Sequence, residues 1–155
     1  ASPSLEIKGA PLGASESAVR DSLPAPLCMP RSGGVVCFAS GVSLAGTRAD
    51  LLMIFKDGRL TSSRATFSSE QFERVRDALT AKYGKPSRLG SEPLQNRLGA
   101  MFDNDWAEWR RGSQALILER YGDGFDSALL LASDEADSDA LQEKRDRAKR
   151  DAADL

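Results

Sequence analysis

The chain has 155 residues and 41% hydrophobic content, enough for one domain with a core of its own. Its 21 basic and 23 acidic residues leave a formal net charge of -2, which supplies no field to draw it to nucleic acid or anionic lipid. No apolar run approaches the roughly 18 residues of a membrane span, and the absence of histidine removes the Ser-His and Cys-His nucleophile pairs and leaves a transition-metal site without imidazole ligands.

The opening Ala1-Ser2-Pro3-Ser4, with no Met, reads as a processed or trimmed end, the form an exported protein takes after losing its signal peptide. Leu5 to Leu12 has the alternation of a short strand that runs into a turn at Gly9 to Gly13. Ser15 is a cap for a helix over Glu16 to Leu23, with Val19 and Leu23 on one face and Pro24 and Pro26 ending it.

Cys28 and Cys37 are the only cysteines, nine positions apart around a Pro30 to Gly34 turn, so reversal of the chain brings them within bridging distance. Two readings stand: a disulfide, which places the chain in an oxidising compartment such as the bacterial periplasm, or two reduced core cysteines in a cytosolic protein. Val35 to Ser40 and Val42 to Thr47 are apolar, β-branched segments separated by Gly41, either two paired strands or one strand with a bulge at the glycine.

The most legible stretch follows. Leu51 to Phe55, Asp57-Gly58 and Arg59 to Phe67 form a hairpin by pattern, because that dipeptide tolerates the positive φ of a tight turn. Ser68 and Gln71 have the spacing of a capping box. Phe72, Val75, Leu79 and Tyr83 then fall on one helical face, which Gly84 and Pro86 close off.

Lys85 to Asp105, rich in Gly, Pro, Asn and Ser, is expected to be a long loop carrying at most a short strand, and loops of that length are more often functional than ornamental. Trp106 to Arg111 and Gln114 to Arg120 form a second hairpin about Gly112-Ser113. Asp123-Gly124 makes a further turn, and Ser127 to Ala132 is a last apolar strand.

The segment 134–155 has no Gly or Pro and reads as a charged helix, acidic at its start and basic later, in the sense the helix dipole favours. It is either a solvated tail or a helix that docks a partner or a second copy. Residues 1–133 form the single domain ahead of it. Within that domain, helix-then-strands recurs twice, from Ser15 and again from Ser68, which predicts an α+β fold with an antiparallel sheet and helices packed on one face.

The chemistry is limited. Gly41 to Gly46 breaks the G-x-S-x-G spacing of a nucleophile elbow, two cysteines without histidine make no structural zinc site, and no glycine motif cradles phosphate. Asp103 with Asp105, or Asp123 with Asp126, lack the ligand ladder of a calcium loop and are better explained as loop and turn residues. No cofactor is expected. Catalysis by two carboxylates needs only a pair of acids at a set separation, so a carboxylate-dependent hydrolase stays open.

Phe102 to Arg111, FDNDWAEWRR, carries the binding signal. Trp106 and Trp109 lie three apart, so on a strand they face opposite sides: one enters the core and the other is exposed or covers an edge. Phe102, Trp106, Trp109, Arg110 and Arg111 therefore form a candidate protein-interface set. The bland alternative is packing by both tryptophans beside solvated arginines.

Three phrases add a resemblance: Gly9 to Val19 as a helix entry, Phe55 to Leu60 as an F-x-D-G-x-L hairpin, and Leu79 to Pro86 as an L-x-x-K-Y-G-x-P helix end. Together they resemble small exported bacterial helix-plus-sheet proteins, the outer-membrane assembly lipoproteins of the SmpA/OmlA type and the β-lactamase-inhibitor-like fold. The resemblance implies a non-catalytic protein that binds other proteins as inhibitor, immunity factor or envelope assembly component. It carries no binding residue across, and no lipid-accepting cysteine stands at Ala1, so a lipid anchor would have been lost with the N-terminus. The expectation is an exported, disulfide-bridged α+β module that binds a protein partner.

Overall fold

The computed structural model describes residues 5–122, 124–134 and 146. In chain order its elements are β1 (Glu6–Ile7), β2 (Ala10–Pro11), α1 (Glu16–Ser22), β3 (Leu27–Arg31), β4 (Gly34–Leu44), β5 (Thr47–Lys56), β6 (Arg59–Ser68), α2 (Phe72–Tyr83), β7 (Arg88–Gln95), β8 (Met101–Arg111), β9 (Gln114–Glu119) and β10 (Ser127–Ser133). Eight strands form one sheet in the order β3-β4-β5-β6-β10-β9-β8-β7, antiparallel at every junction. Each helix is thus followed by a four-stranded meander, and the two meanders join where β6 pairs with β10, from Ser68 opposite Ser127 to Ser62 opposite Ser133. The twice-repeated helix-then-strands unit is the organisation that the sequence pattern predicts.

The core lies on one face of this sheet. Leu51, Met53 and Phe55 of β5, Ala65 and Phe67 of β6, Leu130 of β10, Leu116 and Leu118 of β9 and Trp109 of β8 belong to one buried cluster. Val19 of α1 and Phe72, Val75, Leu79 and Tyr83 of α2 close it from the other side, so both helices pack on the same face. Burying side chains such as Phe72, Val75 and Leu79 stabilises by about 1.5 to 3 kcal/mol each before entropy is charged.

Local chemistry explains the ends of α2. The Ser68 hydroxyl accepts the Glu70 backbone N–H at 3.3 Å, but it opens a single 3₁₀ turn over Ser69–Gln71, and Gln71 makes no side-chain cap bond, so the capping box is not completed. Gly84, at φ 84°, ends the helix with its N–H donated to the Thr80 carbonyl at 2.8 Å.

Other segments refine or correct the sequence reading. Asp57 and Gly58, at φ 52° and 74°, make the tight turn between β5 and β6. The stretch around Gly41 is one strand: the pairing of β4 with β5 shifts register between Ala39 and Val42, and the Gly41 N–H donates to Asp50 Oδ1 at 3.1 Å. Leu5 to Leu12 is not one strand but two short ones, because Lys8 and Gly9, at φ 56° and 73°, reverse the chain between them.

Lys85 to Asp105 is not a long loop. It holds β7 and the first half of β8, paired from Arg88 opposite Glu108 to Gln95 opposite Met101. β7 is an edge strand, and an edge tolerates Pro93 and Gly90, the residues that disguise it. The expected turn residue Asp123 and most of the expected charged helix lie outside the described residues, which include only Asp134 and Asp146 of the segment 134–155. Among the described residues no helix is long and apolar enough to cross a membrane.

Candidate partner-binding face

Side chains alternate across a strand, so the register defines the face opposite the helices. Leu27, Phe38 and Leu52 stand side by side on β3, β4 and β5. The same row continues through Arg64, Leu131 and Ile117 to Glu108 and Arg88 at the far edge. A parallel row begins with Met29, Val36 and Ile54. This outer face therefore changes character along its length, apolar over β3 to β5 and charged over β8 and β7. At its apolar end three large side chains face solvent: Leu27 is 65% exposed, Met29 45% and Phe38 37%.

On the other side of the same hairpin, Cys28 and Cys37 oppose one another in register and are joined by a disulfide, with their Cα atoms 4.1 Å apart. The bond ties the edge strand β3 to β4 and fixes the spacing of the side chains that point outward. Gly34 follows the turn, and its strand runs so close to β5 that a Cβ there would lie 1.8 Å from the Phe55 carbonyl oxygen. A recess of about 410 Å³ opens beside the apolar patch, lined in part by Arg31, Ile54, Lys56 and Ser62. Its two cations give that patch a basic rim.

The five aromatic and arginine residues singled out in the sequence do not form one surface. Trp109 is fully buried among the core side chains, and its indole N–H donates to the Gly84 carbonyl at 2.9 Å. Arg111 faces the same way, with Nη2 donating to the Tyr83 carbonyl at 2.8 Å and its guanidinium 5.9 Å from the Tyr83 ring. Both fasten β8 to the end of α2, Trp109 from within the core and Arg111 from a half-buried position.

Trp106 and Arg110 lie on the outer face. Trp106 is half-buried over Gly90, where a Cβ would sit 2.9 Å from the indole, and the Arg88 guanidinium lies 5.8 Å from its ring. Arg88 and Arg110 both reach the buried carboxylate of Glu108, at 2.9 and 3.5 Å. Phe102 is remote from this group, in an aromatic trio with Tyr121 and Phe125 at ring separations of 5.8 and 5.0 Å.

Two carboxylates do come together, around Arg120. Its Nη2 donates to Glu73 and, at 2.9 Å, to Asp105 Oδ2, while its guanidinium stacks 4.5 Å from the Phe72 ring. The hydrogen bond from Arg120 holds the Glu73 carboxyl below the usual carboxylate range. Burial alone would lower the Arg120 guanidinium, but its bonds to Glu73 and Asp105 raise it. Such a pair is a clamp between α2 and the second meander, with Glu73 kept ionised. Among the described residues no group of His, Cys, Asp and Glu is placed to hold a metal ion.

No family model, curated protein or solved structure matches the chain. Leu27, Met29 and Phe38 were hidden in the sequence behind the prolines that flank Cys28. The signal for them is the alternation Leu27-x-Met29 set against Phe38 and Val36 across the cysteine pair, which is readable once that pair fixes the register.

Proposed function

We propose that this chain is a non-catalytic protein-binding module of an oxidising, extracytoplasmic compartment, of inhibitor or immunity type. It meets a folded partner with the outer face of β3 to β5. The observation that carries this reading is the exposed trio Leu27, Met29 and Phe38, held in adjacent register on a disulfide-tied hairpin.

Exposed apolar side chains grouped on one rigid element mark an interaction site more often than scattered ones do. Rigidity matters because a preorganised patch avoids the entropy lost when side chains and loops order on binding. The basic rim of Arg31 and Lys56 favours a partner whose apolar patch is bordered by acids. A disulfide is at home in an oxidising compartment, and the resemblance to exported helix-plus-sheet proteins points the same way. A hydrolase reading needs an acid held protonated near neutrality, whereas Arg120 drives Glu73 in the other direction.

The test is capture on the immobilised, oxidised protein from periplasmic and secreted extracts, beside Leu27→Glu/Phe38→Glu and Arg110→Ala variants that retain the parent's circular dichroism. The captured protein is then purified and its own activity titrated with the module. One protein bound by the parent and by Arg110→Ala, lost with the double variant and inhibited in stoichiometric titration, is the expected result. Retention of the same protein by the double variant would refute the proposed face, and hydrolytic turnover by the module alone would refute the class.

A further inference from the structure

The two edges of the sheet are finished differently. β3 has five residues, with Pro30 inside it and Pro26 just before, and proline on an edge removes N–H groups that a further strand needs. β7 has eight residues and pairs with β8 over its whole length without a shift of register. No strand of the sheet pairs with its other side.

The direction of the β7 backbone groups follows from two hydrogen bonds. The Ser87 N–H donates to the Glu108 carbonyl at 2.7 Å, and the Arg120 N–H donates to the Asp105 carbonyl at 2.9 Å. Along β8, even-numbered residues therefore turn their backbone toward β7 and odd-numbered ones toward β9, by the alternation of an antiparallel ladder. Register sets Arg88, Gly90 and Glu92 opposite Glu108, Trp106 and Asn104, so those three bond inward. Leu89, Ser91 and Pro93 turn theirs away from the sheet. Leu89 and Ser91 each have an N–H and a carbonyl to offer there, while Pro93 has no N–H and closes the run. The Leu89 side chain, on the helix-bearing face opposite Ala107, is 70% exposed.

We propose that β7 pairs with β7 of a second copy of this chain, antiparallel about a two-fold axis at Gly90, joining the two sheets into one. In this register Leu89 and the second copy's Ser91 exchange both backbone bonds, and symmetry repeats the exchange. Arg88 stands opposite the second copy's Glu92, a cross-strand pair of opposite charge made twice. Glycine faces glycine at the axis, with no side chain to collide. The two Leu89 side chains become diagonal neighbours, within reach of one another. An axis at Ser91 would set Leu89 against Pro93, which has no N–H to return, and an axis at Glu92 would set two carboxylates face to face. Bonding and charge together select one register. The prolines at β3 stop growth at two copies, and both β3 to β5 faces stay open at the far ends of the joined sheet. A contact this short makes a dimer that dilution takes apart.

Sedimentation velocity of the oxidised full chain from micromolar to millimolar concentration, with backbone amide exchange followed by NMR, tests the pairing. The expected result is a monomer that becomes a dimer and grows no further, with exchange of the Leu89 and Ser91 amides slowing several-fold as it does. Ser91→Pro removes an N–H that β8 does not use, and should keep the fold but stay monomeric. Glu92→Lys sets like charges opposite Arg88 and should weaken the dimer several-fold. A parent that is monomeric at every concentration would overturn the proposal, as would growth beyond the dimer. So would a dimer that both variants retain and that leaves Leu89 and Ser91 exchange unchanged. Should Ser91→Pro lose its circular dichroism signal, Glu92→Lys and the exchange of the parent decide.

Discussion

Replacing Trp109 separates a structural role from a binding one. Its side chain is fully buried and its indole N–H donates to the Gly84 carbonyl at 2.9 Å, joining the middle of β8 to the residue that ends α2. Truncating a buried Trp or Phe to Ala costs about 3 to 5 kcal/mol, and the unpartnered Gly84 carbonyl adds about 1. Trp109→Ala should therefore lose about 4 to 6 kcal/mol, a large share of the roughly 5 to 15 available to a domain. At about 2 to 4 °C per kcal/mol for a chain of this size, the Tm falls by roughly 10 to 20 °C. Trp109→Phe keeps a ring but loses the N–H, and falls by about 1 to 3 kcal/mol. Trp106→Ala, on the half-buried outer side, costs about 1 kcal/mol. Urea and thermal unfolding followed by far-UV circular dichroism measure all three. A Trp109→Ala protein within about 1 kcal/mol of the parent that nonetheless loses its partner would show this account of β8 to be mistaken.

Three further outcomes follow from the geometry. The double variant Cys28→Ser/Cys37→Ser should lose about 2 to 3 kcal/mol by the loop-entropy estimate, and the oxidised parent should lose the same amount on adding reductant, both read from urea midpoints. Gly34→Ala places a Cβ 1.8 Å from the Phe55 carbonyl oxygen, where only backbone can give way. It should cost at least about 2 kcal/mol and speed amide exchange in β3 and β4. Arg120 depresses the Glu73 pKa, so Glu73 contributes stability that is fully present above its unfolded value and fades as acid protonates the folded carboxylate. Glu73→Gln should thus fall below the parent at neutral pH and converge with it in acid, a trend that unfolding midpoints across the carboxylate range will reveal.

The legible parts of the fold are those where a single residue type has one physical use. Asp57-Gly58 marks a turn because both residues sit at positive φ, and Phe72, Val75, Leu79 and Tyr83 mark a helix because their spacing leaves one face to bury. The odd separation of Trp106 and Trp109 correctly sends them to opposite faces, Trp109 into the core and Trp106 over Gly90. What composition conceals is the two sheet edges. β3 contains Pro30 and β7 contains Gly90 and Pro93, residues that argue against a central strand but cost little where one side of the backbone bonds to nothing. Reading Lys85 to Asp105 as a loop follows from that ambiguity, and so does overlooking Leu27 and Met29 as an outward-facing pair. The candidate site could not be assembled from local pattern, because its side chains come from strands brought together by register alone.

The measurement that bears most directly on the central claim is site-specific photo-crosslinking of the oxidised full chain in a periplasmic extract, with a photo-reactive phenylalanine analogue placed in turn at Leu27, Phe38 and the exposed Lys85. The account predicts one and the same protein adduct from Leu27 and Phe38 and none from Lys85. An adduct formed equally at all three positions, or only at Lys85, would contradict it.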